Sequence, residues 1–153
     1  MSDQIKLLIV EDDQYLLTLI RFALRTPGAE FEITTASDSD TALHLARALK
    51  PDLILLDILL PGDADGIEIC RQLRSDPALH RTGIVMITAL NDLLVRQQAL
   101  AAGATDYWLK PINTRSLLER VRAVLKMLNL KRATPASNFQ RPTSNVQFLT
   151  SNF

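Results

Sequence analysis

Residues 53–62 read LILLDILLPG, and the place of Asp57 within that run decides the fold. Four apolar residues precede the acid without alternation, the pattern of a strand buried on both faces, as in a parallel sheet. Pro61 and Gly62 then supply turn chemistry. The same design recurs on either side. Upstream, Ile5–Val10 (IKLLIV) ends in three acids, Glu11, Asp12 and Asp13; downstream, Ile84–Thr88 (IVMIT) ends in a hydroxyl. Asp106–Lys110 is a shorter run that ends in a lysine followed by Pro111, and Phe31–Thr35 is a weaker strand.

Between these runs the apolar period lengthens to that of a helix. Leu16, Leu17, Ile20 and Leu24 mark Gln14–Arg25, and helices are predicted for Ser39–Leu49, Ile67–Leu73, Leu93–Ala102 and Thr114–Leu128. Five successive βα units with right-handed crossovers predict an α/β fold. Its core is a doubly wound, five-stranded parallel sheet in the order 2-1-3-4-5, the flavodoxin-like (βα)5 arrangement. In such sheets a site forms beyond the carboxyl ends of the strands, where the order reverses.

The 153 residues suit one domain, placed at 4–128, with 129–153 as a flexible polar C-terminal tail. That tail holds Pro135, Pro142, Lys131, Arg132 and Arg141 but no acid. It reads as a linker remnant or as a docking segment anchored by Phe139, Phe148 and Phe153. An apolar fraction of 47% supports a sizeable core, and a net charge of zero gives no pointer to nucleic acid or an anionic membrane. The six-residue apolar run near the N-terminus is too short for a signal peptide or a span, so a soluble, cytoplasmic protein is expected. One cysteine, Cys70, allows no internal disulfide and sits among Ile67, Ile69 and Leu73 as a structural thiol. His44 and His80 read as surface residues without metal-ligand spacing.

The topology gathers Glu11, Asp12, Asp57, Thr88 and Lys110 around one pocket. Carboxylates crowded together raise one another's pKa unless a cation neutralises them. With no His or Cys among them, a hard, oxygen-seeking ion such as Mg²⁺ fits the donors. A lysine and a hydroxyl opposite suit an anion beside that ion, and a phosphoryl group meets the description.

The motifs LLIVEDD, LILLDILLPG, IVMITAL and GATDYWLKP, in that order over residues 4–128, resemble the CheY-like receiver domain of two-component response regulators. The resemblance implies Asp57 as phospho-acceptor, with Mg²⁺ held by Glu11, Asp12, Asp57 and the backbone carbonyl of Leu59. Thr88 becomes the switch hydroxyl that turns toward the phosphoryl group, Tyr107 the aromatic that moves inward with it, Lys110 the phosphoryl-binding cation, and Asp13 a helix cap. A cis Lys110–Pro111 bond is implied as well. The expected partners are a sensor histidine kinase or phosphotransfer protein and a downstream protein target. A homodimer through helix 4, strand 5 and helix 5 is a further possibility, suggested by the charges of Arg96, Asp106, Arg120 and Arg122. No direct nucleic-acid or membrane contact is expected.

Some features depart from that pattern or read more simply. The loop from Pro61 to Gly66 carries Asp63, Ala64 and Asp65, one residue more than usual. Leu59 and Leu90 stand at flanking positions where polar groups often guide water, which predicts a long-lived phosphoryl state. Small Ala89 keeps the approach to Asp57 open. Taken alone, Asp57 also reads as the cap of a turn, and Tyr107 as a packing residue. A phosphatase with an Asp nucleophile would place a second acid two residues on, where Leu59 stands. A scaffold that keeps only the fold is the remaining alternative.

Overall fold

The computed structural model describes residues 4–133, with side chains as far as residue 129. Five strands form one sheet: β1 (Ile5–Val10), β2 (Phe31–Ala36), β3 (Leu53–Leu56), β4 (Gly83–Thr88) and β5 (Asp106–Leu109). Every pairing is parallel and the order is β2-β1-β3-β4-β5, as the alternation of elements predicts. The helices are α1 (Gln14–Ala23), α2 (Ser39–Leu49), α3 (Gly66–Arg74), α4 (Leu93–Ala101) and α5 (Thr114–Ala133).

Strand periodicity divides the core in two. Leu8, Val10, Ile54, Leu56, Ile84 and Met86 face α2, α3 and α4, where they meet Ala42, Ala46, Ile69, Leu73 and Ala99. Their neighbours Leu7, Ile9, Leu53, Leu55, Val85 and Ile87 face α1 and α5, against Leu17, Ile20, Leu117, Val121 and Val124. β3 is central, and all four of its residues are at most 1% exposed. Each such side chain contributes roughly 1.5–3 kcal/mol by leaving water, so Leu55→Ala would cost about 2–5 kcal/mol.

In a parallel sheet the helices start at the carboxyl ends of the strands, and aspartates cap four of them. Asp13, Asp38, Asp65 and Asp92 each accept backbone N–H groups from the first turn of α1, α2, α3 and α4. The Asp13 cap matches its expected role.

Three local expectations need adjustment. A 3-10 turn at Pro77–Leu79, capped by Asp76, fills a stretch with no predicted element. α1 stops at Ala23, with Leu24 already in cap geometry, rather than at Arg25. α5 continues to Ala133, five residues past the Leu128 at which the helix was expected to end. The polar shift begins at Asn129, but helix continuation needs only residues that tolerate it, and neither Gly nor Pro intervenes before Pro135. The rest of the expected tail, with its three phenylalanines, lies outside the described residues.

Candidate functional site

Strand register brings the expected residues level. Val10 pairs with Leu56 across β1 and β3, and the Asp57 N–H donates to the Val10 carbonyl at 3.0 Å, setting Asp57 beside Glu11. On the other side Thr88 pairs with Leu109, and the Lys110 N–H donates to the Thr88 carbonyl at 2.9 Å. The Lys110–Pro111 peptide is cis, as the resemblance implies.

Lys110 joins the two halves. Its Nζ lies 2.7 Å from Asp57 Oδ2 and 2.7 Å from Glu11 Oε1. The remaining oxygens take backbone donors: Asp57 Oδ1 accepts the Leu59 N–H at 3.1 Å, and Glu11 Oε2 accepts the Asp13 N–H at 3.1 Å. Glu11 and Asp57 are 3% and 4% exposed, whereas Asp12 is open to solvent. Burial pushes the Glu11 carboxyl above its ordinary range, against the pull of Lys110 and the Asp13 N–H. Burial also works against the Lys110 charge, but its bonds to Asp57 and Glu11 outweigh that and raise its pKa.

Carboxylate oxygens of Glu11, Asp12 and Asp57 fall within 4.8 Å of one another. When all three are ionised, one ammonium against three carboxylates leaves two negative charges, the charge that one divalent cation balances. The donors are oxygens alone, which suits a hard ion. Sorting these three from Asp13, Asp38, Asp65 and Asp92 at the same edge takes geometry, because those four are occupied with helix termini.

Thr88 and Tyr107 meet at a residue whose main chain the sequence gives no reason to single out. The Thr88 hydroxyl, fully buried, accepts the Leu90 N–H at 3.4 Å, and Tyr107 donates its phenol to the Leu90 carbonyl at 2.6 Å. The Tyr107 ring is buried and turned inward, with the Arg96 guanidinium 6.0 Å from its centre. Leu90 is therefore a main-chain link between the two expected switch residues. Leu59 projects into solvent, and Ala89 is exposed.

Of the four charges expected on one outer face, Arg96 and Arg120 stay near Asp106, while Arg122 turns to Glu30. Asp106 is fully buried and accepts from the Tyr107 N–H at 2.8 Å and the Trp108 indole at 2.9 Å. Arg120 stacks on Trp108 at 4.3 Å, and Arg122 pairs with Glu30 at 2.6 Å. Trp108 is the residue that turns Asp106 inward, since its indole supplies the second donor. Cys70 is buried, its thiol pushed up to about 11 by burial, and His44 and His80 are exposed.

Residues 7–122 match the response regulator receiver domain family, and the chain belongs to that family. Receiver domains are phospho-accepting signalling switches, not metabolic enzymes. The chain is 38% identical over 144 residues to the alkaline phosphatase synthesis transcriptional regulatory protein PhoP of Bacillus subtilis, covering 94% of this chain and 57% of that one. It is 41% identical over 121 residues to the phosphate regulon transcriptional regulatory protein PhoB of Rhizobium meliloti, covering 79% and 52%. The chain thus spans about half the length of these curated relatives. Among solved structures, a putative response regulator from Chloroflexus aurantiacus superposes with a TM-score of 0.73 at 34% identity, over 81% of this chain and 99% of that one. The BeF3-activated receiver domain of Klebsiella pneumoniae RstA gives 0.68 at 37% identity, over 79% and 98%.

Proposed function

We propose that this chain is the phosphorylation-controlled switch of a two-component system and that Asp57 accepts the phosphoryl group. The observation that carries this reading is the Lys110 ammonium at 2.7 Å from both Asp57 and Glu11, two buried carboxylates beside the exposed Asp12. A lysine so placed gives Asp57 a cation that can follow the charge onto an incoming phosphoryl group.

In the reaction an Asp57 oxygen attacks the phosphorus of a phosphohistidine in line. The O–P bond forms as the N–P bond breaks, and its electron pair returns to the imidazole. Mg²⁺, bound by Glu11, Asp12, Asp57 and the Leu59 carbonyl, would offset negative charge on the transferring oxygens. Lys110 moves its hydrogen bond from carboxylate to phosphoryl oxygen. Thr88, now accepting from Leu90, turns its hydroxyl to donate to the phosphoryl group and so releases one of the two bonds that hold the 89–90 loop. Tyr107 keeps the other through the Leu90 carbonyl, which couples the site to α4, β5 and α5. Water later cleaves the acyl phosphate and resets the switch.

The upstream partner of this reading is a sensor histidine kinase or phosphotransfer protein, and the downstream partner is a protein that reads the α4–β5–α5 surface. Self-association through that surface would rest on Leu93 and Leu94, which α4 exposes, more than on Asp106 or Arg122. The expected lack of nucleic-acid contact gains nothing from the relatives, one of which is named as the DNA-binding response regulator MtrA of Mycolicibacterium smegmatis. No helix among the described residues is long and apolar enough to cross a membrane. We place the protein in the cytoplasm, in keeping with its single buried thiol.

Incubation with acetyl phosphate and Mg²⁺, followed by intact mass measurement, tests the reading. A gain of one phosphoryl group is expected, lost in Asp57→Asn and in the presence of EDTA. An unmodified wild-type chain would leave the scaffold reading, and acetyl phosphate turnover too fast for the phosphoryl protein to accumulate would restore the phosphatase.

A further inference from the structure

The loop from β3 to α3, which carries Leu59 and the extra residue, is fastened at its tip by a residue far from it in sequence. Ser39, the first residue of α2, is fully buried. Its N–H donates to the Pro61 carbonyl at 3.2 Å, and its hydroxyl accepts the Ala64 N–H at 3.4 Å. Gly62, at φ +118°, lies so close to that hydroxyl that any Cβ would strike it. Helix capping does not explain Ser39, because Asp38 already accepts the Thr41 N–H at 2.8 Å and the Thr41 hydroxyl at 3.1 Å.

The base of the loop is fixed as firmly. The Gly66 N–H donates to the Ile58 carbonyl at 2.8 Å, and a Cβ at Gly66 would collide with the Asp57 carbonyl oxygen. Leu60 and Ala64 lean on the core beneath. Between tip and base sits Leu59, whose N–H holds Asp57 Oδ1 and whose carbonyl is assigned to the metal. Freedom at the tip would spread to both atoms.

We infer that Ser39 is a positioning residue for the Asp57 site, clamping the lengthened loop so that the Leu59 main chain stays in place for the carboxylate and the cation. It touches neither ligand nor acceptor; it acts through Pro61, Gly62 and Ala64. The inference rests on the function proposed above and deepens it, since it ties the β2–α2 connection to the metal affinity of the site.

The test is calorimetric titration of Mg²⁺ into wild type, Ser39→Ala and Thr41→Ala, with hydrogen exchange of the loop amides measured on the metal-free proteins. Thr41→Ala perturbs the same helix end but not the loop. Ser39→Ala is expected to weaken Mg²⁺ binding on the order of tenfold, the scale of losing outer support to a metal ligand, and to speed exchange at Ala64. Thr41→Ala should change neither. Should alanine at 39 lower folding, Ser39→Gly carries the same expectation. Affinity within twofold of wild type, or an equal loss in Thr41→Ala, overturns the inference. Wild type that binds no Mg²⁺, or binds it equally after Asp57→Asn, overturns the proposed function instead, and Ser39 with it.

Discussion

Two buried acids at opposite ends of the sheet are answered in different ways. Asp106, at the start of β5, accepts from two neutral N–H groups of its own strand segment, Tyr107 and Trp108, with Arg120 stacked on the indole. Asp57, just beyond β3, shares a single lysine with Glu11 and has Asp12 close by. Burial raises the Asp106 pKa although those N–H groups and nearby arginines oppose it. Its donors cannot leave without dismantling β5. Lys110, by contrast, can swing, and the acids around it stay under-compensated. A carboxylate whose donors are all fixed suits a structural role; Asp57 has one fixed donor, the Leu59 N–H, and leans otherwise on a movable cation among other acids, which suits chemistry.

Removing each acid should separate the two. The largest effect expected is complete loss of phosphoryl incorporation in Asp57→Asn, with Asp106→Asn still modified; intact mass after acetyl phosphate treatment reads both. Stability should move in opposite senses. Asp106→Asn turns an amide donor toward donors and should cost about 1–3 kcal/mol in urea unfolding. Asp57→Asn relieves like-charge crowding and should leave the metal-free protein unchanged or more stable by about 1 kcal/mol. If both destabilise equally, the distinction between structural and poised acid is lost.

A milder effect concerns the lip of the poised site. Leu59 is 55% exposed and offers no polar group to guide water, so Leu59→Asn should shorten the phosphoryl lifetime several-fold. An unchanged or longer lifetime refutes this. The smallest effect concerns a third buried group. The Cys70 thiol, with its pKa near 11, remains protonated as pH rises to 9, and thiol reagents should label it only at the rate of unfolding. Rapid labelling of the folded protein would show that the α3 face opens.

Much of this was readable in the chain. Short apolar runs alternating with helical periods gave the five βα units, and the parallel order followed from handedness. Glu11, Asp57, Thr88 and Lys110 stand at or just after strand ends, so topology alone put them in one neighbourhood. Ser39 was not legible, because a serine opening a helix looks like part of its cap. Nor was Asp106, whose charge suggests a surface until Trp108 is seen to hold it.

Order and periodicity along the chain thus settled the architecture and which side chains stand near the strand ends, because burial patterns are written residue by residue. Which acids cap helices and which cluster beside Lys110 was decided by folding. Both tasks use the same carboxylate at the same edge of the sheet, and only contacts a few ångströms long between residues tens of positions apart tell them apart.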